Sequence, residues 1–144
     1  ILSKYIPQKN KYKIYVSALT QINIDSHNRI SSSDARLIRR IVRDKNYRGY
    51  DPIETIESWD NVRRGEREYI FPFQENADFY MDTSLIYEFN ALKNEAMEAL
   101  DTIDKSSKYY YKANDLKKLP SHFIGIDDLS TITKDSILRE FIGE

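Results

Sequence analysis

Between residues 34 and 47, two kinds of side chain sort onto opposite sides of a helical wheel. Leu37, Ile38, Ile41 and Val42 form one arc, and Arg36, Arg39, Arg40 and Arg43 form the other, with Tyr47 among them. A helix of this kind must bury its apolar side against a body, and it then holds four guanidinium groups toward one shared space. Lys45 and Arg48 add charge near its end. Residues 31–50 carry five arginines and one lysine against two aspartates, yet the 144-residue chain has a formal net charge of −1. A near-neutral chain does not read as a general nucleic-acid or membrane-surface protein, so any polyanion site is local.

The arginine stretch shows no glutamate at pairing distance along the helix. Four guanidinium groups on one stripe repel one another, and a multiply charged anion between them relieves that repulsion. The competing reading is a solvated basic face. The clustering and the glycine after the run favour phosphate, without separating nucleotide from nucleic acid.

The rest of the chain alternates strand and helix signals, a pattern that predicts α/β architecture. "KIYVSAL" (13–19) reads as a buried strand and "NIDSHNRISSSD" (23–34) as a loop. Ser32 or Ser33 is positioned to cap the arginine helix, with Asp34 near its positive end and Gly49 as its stop. Asp51 and Pro52 start a second helix with Ile53, Ile56 and Trp59 on one face, and Gly65 is expected to break or bend it. "ADFYMDTS" (77–84) predicts a second strand. Helices are predicted over 84–103, with Leu85, Phe89, Leu92, Ala96, Met97 and Leu100 inward, over 108–119 ended by Pro120, and over 134–143.

Other constellations are weaker. His27 and His122 lie far apart with no metal-ligand spacing around them, and Asp127 and Asp128 read as loop or cap residues. The three tyrosines of "KYYYK" (108–112) could form a stacking platform for bases, but on a helix they face different sides, so a mixed core and surface role is favoured. Cysteine is absent, which excludes disulfides and thiolate metal sites and fits a reducing compartment. No apolar run is long enough for a membrane span, and no secretory leader is expected. A cytoplasmic location is the corresponding expectation.

"RLIRRIVRDKNYRG" (36–49), followed by "VRR" and then "NAD" entering a strand, resembles the lid region of the uridine kinase/phosphoribulokinase group of P-loop kinases. In that group a helix of the form R-L-x-R-R-x-x-R-D-x-x-x-R-G leads to a second helix, a V-R/K-P-like turn and a "YAD" strand entry. The resemblance covers about residues 13–90. The ending "DSILREFIG" is similar to the terminus of long bacterial members that carry threonyl-tRNA synthetase-like N-terminal domains.

The resemblance implies that residues 1–144 are the helix-rich C-terminal portion of a P-loop kinase domain with a parallel sheet, few of whose strands are present. Its lid lies at about 34–72 and its C-terminal helices at about 84–144. It implies ATP-dependent transfer of the γ-phosphoryl group to a nucleoside hydroxyl, with ATP and Mg2+ as cofactors of the intact parent protein. Arg43 and Arg48 match positions that reach the phosphates, and Arg40 one on the nucleoside side. Arg36 and Arg39 match the motif as further lid arginines or as partners of neighbouring acids. Tyr50 stands where the kinases carry arginine, and about Ser58 where they offer glutamine to the base, which loosens the implied tie to uridine.

The sequence has no G-x-x-x-x-G-K-S/T, and its glycines are Gly49, Gly65, Gly125 and Gly143. The phosphate-cradling loop and the general-base aspartate are therefore expected upstream of residue 1, and the chain alone is expected to be inactive. The partners implied are a nucleotide or nucleoside substrate, the missing N-terminal half of the kinase domain, and, through an open sheet edge, a second copy of the chain. The alternative reading is a nucleic-acid-binding or regulatory interaction module built on the same basic helix.

Overall fold

A computed structural model describes residues 5–143. Strand β1 (Ile14–Ser17) leads through a polar loop to helix α1 (Ser32–Arg43), which passes directly into a π-helical turn, Asp44–Arg48. Helix α2 (Pro52–Tyr69) follows, then strand β2 (Phe79–Asp82) and helices α3 (Glu88–Asp101), α4 (Tyr110–Ser121) and α5 (Arg139–Ile142). β1 and β2 pair in parallel, with Ile14 opposite Phe79 and Ser17 opposite Asp82. The architecture is α/β, as the alternation of signals predicts.

α1 is the organising element. Its apolar arc is buried as predicted but is divided between two cores. Ile38 and Val42 pack with Phe89, Leu92, Leu138 and Phe141. Leu37 and Ile41 pack with Ile56, Trp59, Leu100 and Leu116. One helix thus packs on α3 in both cores, with α5 joining it in the first and α2 in the second, and burying four aliphatic side chains stabilises it by about 1.5–3 kcal/mol each.

The helix ends follow local chemistry with small shifts. The cap of α1 is Ser31, one residue before the expected serines; its hydroxyl accepts a hydrogen bond from Asp34 N at 3.3 Å. Gly49 closes the π-helical turn at φ 65°, a left-handed conformation that glycine adopts without steric cost. α2 begins as predicted: Asp51 accepts from Ile53 N (2.6 Å), Glu54 reaches back to Asp51 N (2.9 Å), and Pro52 sits in the first turn.

Gly65 does not break α2, which continues to Tyr69. A helical glycine costs only about 1 kcal/mol relative to alanine. Buried Ile56, Trp59 and Glu66 on either side hold the helix against that cost. A Cβ at this position meets nothing within 4 Å. Gly65→Ala is therefore expected to raise stability by about 0.4–1 kcal/mol, read as a higher urea midpoint with unchanged slope.

Three other predicted helices differ in their bounds. α3 starts at Glu88, because Ser84 N is held by Asp82 (2.8 Å) and Leu85 N by the Glu88 carboxylate (2.9 Å) in a turn. α4 runs one residue past Pro120, which lies buried in its last turn. The terminal helix shrinks to Arg139–Ile142 because turns at Thr133–Ser136 and Ser136–Arg139 take up the preceding backbone groups.

The strand expected to be buried is not. Ile14 and Val16 are about half exposed, as are Phe79 and Met81 in register with them. Among the described residues the two-stranded sheet has little to cover that face. Its far end is tied down by Asp82, which accepts from Leu19 N (2.9 Å) and Ser84 N (2.8 Å). Partial burial pushes the Asp82 carboxyl up, but these hydrogen bonds outweigh it and hold the group below its ordinary value.

Candidate functional site

Arg36, Arg39, Arg40 and Arg43 recur at spacings of three and four, so α1 delivers all four to one side. They line a single cavity of about 210 Å³, closed by Trp59 and Val62 of α2, Ala18 and Thr83 from the strand ends, and Phe141 of α5. The convergence expected from the wheel is thus present in three dimensions. The helix itself has no glutamate at pairing distance, yet each guanidinium has a carboxylate, Asp44 from the following turn and the other three acids from distant segments; Arg36 and Arg39 are partners of such acids, one of the two roles expected of them.

Arg36 pairs with Glu66 of α2 and lies over the Trp59 ring, 5.9 Å from its centre. Burial pushes the Arg36 guanidinium below its ordinary value, although the group stays charged. Arg39 is itself buried. It pairs with fully buried Glu88 and donates to the Thr83 carbonyl at 2.7 Å, joining α1 to the exit of β2. Arg40 Nε donates to Asp44 Oδ2 at 2.9 Å. Arg43 donates to Glu140 of α5 at 2.8 Å.

These partners differ in burial, and that ranks the arginines. The side chains of Glu66, Glu88 and Asp44 are 8%, 0% and 1% exposed, whereas that of Glu140 is 56% exposed. Breaking a buried pair costs about 3–5 kcal/mol, while an exposed one is worth about 0–1 kcal/mol. Arg43 is therefore the cavity arginine most easily given to another anion. Nε of Arg39 and Nε of Arg43 are buried and make no hydrogen bond among the described residues.

Arg48 stands apart from the four. It shares a neighbouring groove with Arg43, Tyr47, Arg139, Glu140 and Gly143. The π-helical turn carries it back toward Asp44, whose Oδ1 it approaches at 3.2 Å as an ion pair without hydrogen-bond alignment. Asp44 also accepts from Thr55 Oγ1 at 3.2 Å, so one buried carboxylate fixes Arg40, Arg48 and the start of α2 together. Arg40 has a second outlook as well: with Tyr50, Glu54, Thr55 and Ser58 it lines a separate cavity between α1 and α2.

The remaining candidates fall outside the site. His27 is exposed and contacts Ser26 Oγ at 2.8 Å, and His122 is exposed at the end of α4. Asp127 accepts from Asn94 and Asp128 from Ser130 N, which are loop and cap roles. Tyr109 packs against the second core while Tyr111 is exposed, so the tyrosines do not form a flat platform. Sequence reasoning missed Glu66, Glu88 and Glu140 as partners and Phe141 as a wall. The one available signal was Asp44, four residues after Arg40.

Among the described residues, no helix is long and apolar enough to cross a membrane. The sequence model described as "Phosphoribulokinase / Uridine kinase family" matches residues 11–85, just over half of the chain. That span contains β1, the arginine helix, α2 and β2. No curated protein and no solved structure matches the chain.

Proposed function

The chain belongs to the phosphoribulokinase/uridine kinase family, a family of kinases, and from that premise we propose that residues 34–72 act as the lid of an ATP-dependent nucleoside-type kinase. The arginine cavity receives the phosphates of the nucleotide, and a nucleoside-like hydroxyl accepts the γ-phosphoryl group. The observation that carries this reading is the convergence of four arginines on one cavity.

In phosphoryl transfer most of the catalysis is positioning and charge neutralisation. Arg43, and Arg48 from the adjoining groove, are placed to neutralise charge on the phosphates. Arg40, which lines both the arginine cavity and the cavity of Tyr50 and Ser58, serves the acceptor side on this reading. Arg36 and Arg39, held by buried acids, fix the lid and set the local positive potential.

Kinases of this family typically use ATP and Mg2+. The cavity suits phosphate oxygens. It does not supply a cation site: among the described residues no group of three or more acidic or histidine side chains is placed to hold a metal ion. The half-exposed face of β1 and β2 would be covered by helices of the remainder of the kinase domain, since parallel sheets carry helices on both faces, and its further strands would pair along the sheet edge.

Trp59 is the only tryptophan and lines the arginine cavity, so its fluorescence reports binding there. ATP is expected to change that emission saturably in the 144-residue chain, and Arg43→Ala to weaken the response at least severalfold. Emission unmoved by ATP would overturn the reading. If single-stranded nucleic acid bound instead, with a steep salt slope, the alternative of a nucleic-acid module would replace it.

A further inference from the structure

The C-terminal turn of the described chain forms one side of the arginine cavity, and it does so with an anion of its own. Leu138, fully buried in the first core, anchors α5. From that anchor Phe141 reaches over two of the arginines, its ring centre 5.4 Å from the Arg39 guanidinium carbon and 6.0 Å from that of Arg43. Glu140 takes Arg43 at 2.8 Å. The turn is fastened a second time by Asn46, whose side-chain amide donates to the Phe141 carbonyl at 3.0 Å.

We propose that α5 is a displaceable latch on the arginine cavity, in which Glu140 occupies Arg43 until a phosphate group takes its place. This rests on the phosphate-binding reading of the cavity and adds a competing internal ligand to it. The physical case is a contrast in strength. The other three cavity arginines are tied to buried carboxylates whose loss is costly, and they remain in place when an anion enters. The Arg43–Glu140 pair lies at the surface, where its own worth is small.

A polyphosphate carries several negative charges and offers oxygens to both guanidinium edges, so it outcompetes a single exposed carboxylate. Once Arg43 turns to the phosphate, Glu140 is left beside an anion of the same sign. Phe141 then loses its contact with the Arg43 guanidinium and keeps Arg39, its place in the first core and the Asn46 hydrogen bond. α5 is four residues long, and its amides are held by single-turn bonds: Phe141 N and Ile142 N to the Leu138 carbonyl at 2.8 and 3.0 Å, and Gly143 N to that of Arg139 at 3.1 Å. A helix this short has little stability of its own, so losing the Glu140 and Arg43 contacts loosens its last residues, while buried Leu138 keeps its base in place.

The test uses inorganic tripolyphosphate and the 144-residue chain, with Trp59 emission reporting binding and hydrogen exchange reporting α5. Glu140→Gln keeps the shape of the side chain and removes its charge, and it is expected to bind tripolyphosphate about two- to fivefold more tightly than the unmodified chain. Glu98→Gln, which removes a charge from an exposed pair with Lys45, controls for net charge and is expected to change the affinity less. In an Arg43→Ala background the effect of Glu140→Gln is expected to vanish. In the unmodified chain, tripolyphosphate is expected to speed exchange of the Phe141, Ile142 and Gly143 amides.

Equal affinity of the unmodified chain and Glu140→Gln for tripolyphosphate, with unchanged exchange in α5, overturns the latch and leaves the phosphate site standing. An equal gain from Glu98→Gln overturns it too, because the effect is then general charge. If tripolyphosphate binds neither the unmodified chain nor Glu140→Gln, the phosphate reading and the latch fall together.

Discussion

On the proposed lid role, Arg43→Ala in the active kinase is expected to lower kcat by about a hundred- to a thousandfold while changing acceptor affinity far less. A charge-stabilising contact made mainly in the transition state is worth about 2.7–4 kcal/mol. Arg43 is suited to such a contact because its resting partner, Glu140, is exposed. Arg48→Ala is expected to act in the same direction, and Arg40→Ala to raise KM for the acceptor. Lysine at position 43 restores part of the loss, since an ammonium keeps the charge without the planar fork. Leu37→Asp is the contrast: it strikes the buried face of α1 and lowers the urea midpoint. Steady-state kinetics on folded variants decide the matter. An unchanged kcat for both Arg43→Ala and Arg48→Ala would remove the lid role.

Glu88→Ala is expected to destabilise the fold by about 3–5 kcal/mol, the typical effect of stranding a buried charge. Glu88 is fully buried, pairs with Arg39 and accepts from Leu85 N, so its loss leaves a buried guanidinium without a counter-charge and a turn without its acceptor. A natural domain is stable by about 5–15 kcal/mol, so this single change takes a large share. Urea denaturation of the variant measures it. The double variant Arg39→Met, Glu88→Leu is expected to recover much of the loss, because replacing both charges by apolar groups avoids the unpaired one. A loss below about 1 kcal/mol for Glu88→Ala would mean that Arg39 finds water or another partner when Glu88 is gone.

The parts of this fold readable from sequence were the parts governed by short spacings. Leu37, Ile38, Ile41 and Val42 announce a buried helix face, and Asp51, Pro52 and Glu54 announce the start of α2, because both patterns are complete within one or two turns. The cap at Ser31 was displaced by one position because three adjacent serines are chemically equal there. Gly65 misleads because intrinsic propensity is weaker than the packing on either side of it. At the site, the common direction of the four arginines follows from helical geometry. Which of them are committed to the fold does not, since Glu66, Glu88 and Glu140 lie 30, 49 and 97 residues from the arginines they hold. Asp44 was within reach of the pattern as the i+4 neighbour of Arg40, but its simultaneous hold on Arg48 depends on the π-helical turn. The half-exposed β1 reads as buried because β-branched and aromatic runs look alike whether or not a neighbour covers them.

The pairing of β1 with β2 has a kinetic side. Lys13 and Asp78, which stand at the start of the ladder, are 65 residues apart in the chain, and the ladder they open is four residues long. Closing so long a loop loses conformational entropy before the few strand contacts return anything. The helical cores around α1 close loops as long or longer, Ile38 with Leu138 among them, but they repay that cost with fully buried side chains, which the half-exposed ladder does not. The strands are therefore late to assemble, and substitutions in β1 or β2 that weaken their pairing act mainly on the unfolding rate and leave the rate of folding almost untouched.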